Sequence, residues 1–239
     1  MSILGFPCAS RKSIAELHIG GYRLLMTFGE CESMLLNLDN LRQAKLETDP
    51  FPYTIVPEFL HRNTLNSIND TFPPITSGGS FDVRNLQADM TVKTVIDELD
   101  QPDFQKVIED KFGVDLADKP KMYSLRGYTR AKDGKIHTDS KEKIITVLLY
   151  FNLDWQPSEG RLRLLRDGKN LDNYVAEVAS DNGMLLVFKR SDNSWHGHFP
   201  FEGQRRALQM NWMTGSGWIG WHQMRHALSA IVKKRMANG

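Results

Sequence analysis

The segments Lys143–Asn152 (KIITVLLYFN), Gly160–Leu165 (GRLRLL) and Gly183–Phe188 (GMLLVF) decide the fold. Each is short, rich in β-branched or large apolar residues, and bounded by turn formers, the pattern of strands. They lie within a longer stretch, Lys135–Trp212, that opens on His137-Thr138-Asp139. It continues through Ser194-Trp195-His196-Gly197-His198 to Gly203-Gln204-Arg205-Arg206-Ala207-Leu208-Gln209-Met210-Asn211-Trp212. Side chains alternate along a strand, so a histidine and an aspartate two apart on one project to the same face. The spacing therefore predicts an all-β core with polar ligands at the ends of neighbouring strands.

Two imidazoles and one carboxylate on one side of an ion form a facial set that leaves coordination positions open, as at non-haem Fe(II) centres. His137 and Asp139 supply two members. His196 and His198 share a face by the same alternation, so either fits as the third. An arginine beyond them offers a planar fork for a carboxylate. Arg205 and Arg206 point to opposite faces, so only one of them enters such a site. An H-x-D tripeptide alone is weak evidence, and the reading rests on the strands around it.

Residues 123–213 resemble the iron- and 2-oxoglutarate-dependent dioxygenases, most closely the prolyl-4-hydroxylase-like branch. The matching residues are His137/Asp139, then Thr146/Tyr150/Asn152/Asp154/Trp155, Gly160/Leu162/Leu164, the distal His196, and Arg205 nine residues further on. The resemblance implies a mainly β (α+β) fold: a double-stranded β-helix, jelly-roll or cupin-like, with supporting N-terminal helices and a C-terminal helix. It implies Fe(II) on His137, Asp139 and His196, with 2-oxoglutarate and O2 as co-substrates and ascorbate as an accessory reductant. Its offset of nine favours His196 over His198, which would leave only seven residues to Arg205, and favours Arg205 over Arg206. Tyr150 and Thr146, four apart on one strand face, and Tyr128 are the further expected contacts to 2-oxoglutarate. The implied activity is a hydroxylase that couples decarboxylation of 2-oxoglutarate to succinate with C–H hydroxylation. Two other readings are a halogenase on the same scaffold, against which Asp139 argues, and a non-catalytic metal-binding β-barrel module. The substrate, a small molecule or a peptide or protein side chain, is not legible.

A chain of 239 residues is long enough for a sizeable core. A formal net charge of +1 gives no sign of a nucleic-acid partner. Cys8 and Cys31 lack metal-site spacing, and two cysteines point to a reducing, cytoplasmic setting. The sequence has neither a long apolar run nor a signal-like start, so no stable membrane insertion is expected.

The expected organisation is an N-terminal extension over 1–50 packed on the core, a dioxygenase domain with its supporting helices over 51–217, and a C-terminal helix over 218–239. Within the extension, 13–28 suits a strand pair around Gly20-Gly21, and 32–46 carries a helical apolar stripe. Residues 53–56 read as a strand, and a helix is expected to open at Pro57 and reach about Phe72. The loop 73–80 suits either a mobile flap or a plain connector. Two helices over 92–100 and 102–112 and a strand over 122–129 lead to His137.

Overall fold

The computed structural model describes residues 14–19, 22–27, 35–86, 90–157 and 159–215. The chain divides into two compact units, Met1–Met34 and Leu35–Gly239. In the first, β1 (Ile14–Ile19) and β2 (Tyr22–Thr27) form an antiparallel pair in a register that sets Ile19 against Tyr22. The helix expected over 218–239 lies outside the described residues.

The second unit holds α1 (Leu38–Gln43), β3 (Tyr53–Val56), α2 (Arg62–Thr71), β4 (Phe81–Asp82), α3 (Met90–Leu99) and α4 (Pro102–Phe112). It continues with β5 (Lys121–Thr129), β6 (Lys143–Tyr150), β7 (Leu162–Leu165) and β8 (Tyr174–Val178). The last strands are β9 (Leu185–Lys189), β10 (His196–Gly197) and β11 (Gly203–Met213). The large sheet has the order β3-β9-β6-β11-β5-β4 and the small one β10-β7-β8. From β5 onward the chain passes repeatedly between the two sheets. A single bridge, His137 to His196, stands in for a fourth strand beside β10. This is the expected double-stranded β-helix.

Alternation along the strands sorts the side chains into two cores. Ile145, Val147 and Leu149 of β6, Leu208, Met210 and Trp212 of β11, and Leu185 and Val187 of β9 face the helices. There they meet Val92, Val95 and Leu99 of α3 and Phe104, Val107, Ile108 and Phe112 of α4. The Phe104 ring stacks on Trp212 at 5.9 Å between centroids. The opposite face carries Tyr150, Leu186, Phe188 and Ala207, which meet Leu162, Leu164 and Val178 of the small sheet. The helices thus brace one face of the large sheet and leave the other to build the interior of the β-helix.

Several boundaries differ from expectation for identifiable reasons. α1 starts only at Leu38, because Asn37 caps it by accepting from the Asn40 N–H. The two preceding N–H groups, of Leu35 and Leu36, donate to the Glu98 carboxylate instead of joining a helix. α2 starts at Arg62 and not at Pro57, since the N–H groups of Phe59 and Leu60 are drawn to the Gly183 carbonyl. The loop 73–80 lies along β5: Gly78 bridges to Tyr128, and Ile75 packs on Gly127 so closely that a methyl group there would collide with it. No helix among the described residues is long and apolar enough to cross a membrane.

Candidate metal and co-substrate site

His137 and Asp139 sit in the connection between β5 and β6, not within a strand as the alternation argument assumed. What extends the backbone there is the reciprocal pairing of His137 with His196, whose N–H groups each donate to the other's carbonyl at 3.0 Å. Across this bridge the side chains of His137, Asp139 and His196 converge, and each offers one ligand atom within 4.8 Å of the others. Asp139 and His196 are buried, while His137 stands exposed at the rim.

The surroundings orient each donor. His137 Nδ1 lies 2.8 Å from the Lys135 carbonyl and His196 Nδ1 lies 3.0 Å from that of Ser194. A carbonyl only accepts, so in both rings Nδ1 is the donor and Nε2 is the nitrogen left to face an ion. Thr146 Oγ1 donates to Asp139 Oδ2 at 2.6 Å and accepts from Asn211 Nδ2 at 3.0 Å, which fixes the hydroxyl's direction. Lys143 Nζ meets the other carboxylate oxygen at 2.7 Å. Burial pushes the Asp139 carboxyl upward, but Lys143, His196 and the hydrogen bonds outweigh it and hold it at about 2. Burial brings His196 down to about 4, with Asp139 opposing the shift. Two imidazoles and one ionised carboxylate are a donor set that fits Fe(II).

Farther along the same cavity lies Arg205, 6% exposed. It donates from Nε to Ser180 Oγ and from a terminal nitrogen to the Tyr150 hydroxyl, each at 3.3 Å. Its guanidinium also lies 5.1 Å from the centre of the Tyr150 ring. A fixed fork flanked by two hydroxyls can take one carboxylate in bidentate fashion. Arg206 points the other way, donating to the Asn69 side chain and covering the Phe72 ring on the helical face.

Of the residues expected here, the structure brings His137, Asp139, His196, Arg205, Tyr150 and Thr146 to one cavity. The Thr146 hydroxyl is spent on Asp139, so this residue positions the carboxylate instead of presenting a donor at the far end. Tyr128 is not brought in: its hydroxyl sits 3.4 Å from Glu202, away from the cavity lining. His198 lines the cavity but stands outside the ligand cluster, its Nδ1 held 2.7 Å from the Phe199 carbonyl. Burial, and then the charge of Arg205, lowers it to about 4.

The sequence reading missed Arg126, Lys143, Ser180 and Gln209. Arg126 shares the strand face of Tyr128, two residues earlier, and Gln209 follows Ala207 on the face that lines the cavity, but alternation gives only the shared face and not that it turns inward. Ser180 follows β8, a strand with no strong apolar pattern, and carried no signal.

Residues 123–214 match the family model of the 2OG-Fe(II) oxygenase superfamily. The match covers the β-helix from β5 to the end of β11 and includes every residue of the cluster and the arginine. It agrees with the resemblance read from the sequence. No curated protein matches the chain by sequence. Among solved structures, the chain is similar to a prolyl-4-hydroxylase from Pseudomonas putida, with a TM-score of 0.53 and 17% identity over 74% of this chain and 90% of that one. That likeness shows the shared jelly-roll fold. A viral collagen prolyl hydroxylase from Paramecium Bursaria Chlorella virus-1 aligns with a TM-score of 0.49 and 9% identity, over 69% of this chain and 96% of that one. A prolyl 4-hydroxylase from Phytophthora capsici aligns with a TM-score of 0.48 and 15% identity, over 77% and 67%.

Proposed function

We propose that the chain is an Fe(II)- and 2-oxoglutarate-dependent dioxygenase that hydroxylates a C–H bond of its substrate. One observation carries the reading: the guanidinium of Arg205 enters the same cavity as the convergent cluster of His137, Asp139 and His196. A structural metal site has no use for a buried cationic fork beside its open face. Bound iron would supply the activation of O2 and the oxidising power, with ascorbate as the reductant that keeps it ferrous.

The protein's part is to bind, orient and exclude. Nε2 of His137 and of His196 and Oδ1 of Asp139 would hold the ion. Arg205 and the Tyr150 hydroxyl would hold the far carboxylate of 2-oxoglutarate, with Ser180 bracing the arginine from behind. Leu148, Leu162 and Ala207 give the cavity apolar walls, which strengthen these charge-assisted contacts by keeping water out. Asp139 argues against a halogenase, because that chemistry needs the carboxylate's position free for a halide.

The substrate is a small molecule or a peptide or protein side chain, handled in the reducing setting that the cysteine usage suggests. The test is succinate formation by purified protein. Turnover that requires both Fe(II) and 2-oxoglutarate supports the assignment. Metal binding without any 2-oxoglutarate turnover, whatever oxidisable substrates are supplied, would favour the non-catalytic module.

A further inference from the structure

We propose that Arg126 is the anion-binding residue for the molecule to be oxidised, so that this substrate carries a carboxylate close to the C–H bond that reacts. The inference rests on the dioxygenase reading above.

Arg126 lies on β5 and lines the cavity, yet among the described residues no side chain or carbonyl accepts a hydrogen bond from it. Its neighbours are otherwise engaged. Asp133, the carboxylate that attracts it most strongly, takes three hydrogen bonds from Arg130 at 2.8 to 3.1 Å. Burial, and then repulsion from Arg205, pulls the Arg126 guanidinium below its usual value. A half-buried guanidinium stays protonated, and one with no hydrogen-bonded acceptor among the described residues keeps its donors free for an anion.

The placement separates this charge from the co-substrate grip. Ala207 of β11 pairs with Tyr150 of β6 on one side and with Arg126 of β5 on the other. Two strand spacings, about 10 Å, therefore divide the backbone of Tyr150 from that of Arg126. The small side chain of Ala207 leaves the floor open between them. Arg205, Tyr150 and Ser180 already make a complete carboxylate seat on the β6 side. Arg126 is hydrogen-bonded to none of the three.

Charge balance points the same way. The cavity-lining residues include three cations, Arg126, Lys143 and Arg205, against one carboxylate, Asp139. A divalent ion and dianionic 2-oxoglutarate cancel each other, so the loaded cavity keeps two unmatched positive charges. Lys143 is already paired with Asp139, and Arg126 is left facing the open volume. A cationic substrate would enter against this field, whereas a carboxylate lowers the excess from two charges to one.

The test uses propionate and its isosteric amide, propionamide, as probes, with ligand-observed NMR on the Zn(II)-loaded protein saturated with 2-oxoglutarate. Propionate is expected to bind at least about tenfold tighter than propionamide, the ratio expected from a charge-assisted contact worth about 1.4 kcal/mol over a neutral one. Arg126→Gln should erase that preference while leaving 2-oxoglutarate affinity within about twofold, and Arg126→Lys should restore part of it. Equal binding of the two probes overturns the proposal. So does a 2-oxoglutarate loss in Arg126→Gln as large as in Arg205→Ala, which would make both arginines one co-substrate clamp. If wild-type protein binds no 2-oxoglutarate, the proposed function fails instead. The comparison of propionate binding in Arg205→Ala with the Arg126→Gln/Arg205→Ala double variant then still decides whether Arg126 holds anions.

Discussion

Replacing Arg205 by alanine tests whether this cavity is built for 2-oxoglutarate. The side chain is buried, but among the described residues it has only two hydrogen bonds, to Ser180 and Tyr150, both long at 3.3 Å, so the fold loses little when it goes. The ligand would lose much more. Removing the partner of a desolvated charge costs about 2–5 kcal/mol, and about 1.4 kcal/mol is a factor of ten. Arg205→Ala should thus weaken 2-oxoglutarate binding by roughly one and a half to three and a half orders of magnitude. Arg205→Lys recovers only part, because an ammonium is a point charge and not a planar fork. Tyr150→Phe removes one neutral donor, about 0.5–1.5 kcal/mol, and should cost roughly two- to twelvefold. Calorimetric titration of the Fe(II)-loaded protein under anaerobic conditions measures all three, with Fe(II) affinity as the control that should not move. Arg206→Ala, whose side chain serves α2 and Phe72, should lower stability and leave the titration unchanged. Wild-type-like affinity in Arg205→Ala, or a large loss in Arg206→Ala alone, would refute the assignment of this strand face.

Four further outcomes follow from the same geometry. His137→Ala, Asp139→Ala or His196→Ala should each abolish Fe(II) binding in anaerobic titration, while His198→Ala keeps the ion; retention of tight binding by Asp139→Ala would remove the carboxylate from the ligand set. Thr146→Val should leave the sheet intact but free one oxygen of Asp139, weakening Fe(II) binding about tenfold, the scale of a lost partner behind a ligand, and an unchanged affinity would make the 2.6 Å contact incidental. Lys143→Met removes a cation that competes with the ion for Asp139 Oδ1, so it should tighten metal binding, and weaker binding would show that the lysine helps build the site. The folded-state values of His196 and His198 are depressed from 6.5 to about 4. The unfolded chain then takes up protons first as pH falls, and the metal-free protein should lose roughly 1.4 kcal/mol per group per pH unit between about pH 6.5 and 4. Urea midpoints across that range check the slope, which His198→Asn should about halve.

How far the sequence revealed this molecule depended on how local each signal was. The strands Lys143–Tyr150 and Leu185–Lys189 announced themselves because both their faces are buried, one against helices and one inside the β-helix. β8 did not, since Tyr174–Val178 is a half-exposed edge whose apolar residues follow no clean alternation. Helix starts were misplaced where distant groups claimed the backbone: Glu98 took the N–H groups before α1, and Gly183 those before α2. No pattern within the helix itself encodes such a partner.

The candidate site divides in the same way. His137 and Asp139 are neighbours in the chain, so their convergence was legible even though the supposed strand proved to be a single bridge to His196. Arg205 was legible only through its offset from His196, an offset made meaningful by family resemblance. Arg126 had neither a neighbour nor an offset. An arginine on a strand reads as a solvated charge until the pairing of β5 with β11 turns its face inward. The same pairing places it across Ala207 from Tyr150, one of the residues proposed to grip 2-oxoglutarate. That position accounts for its being hidden in the sequence and, among the described residues, without a hydrogen-bonded acceptor. A substrate-binding group has to be left unsatisfied by the protein, so the interactions that make other residues readable are the ones it must lack. The metal ligands show the converse. Their orientation by Ser194, Lys135 and Thr146 is complete before any ion arrives, because an open-faced centre needs its donors fixed in advance.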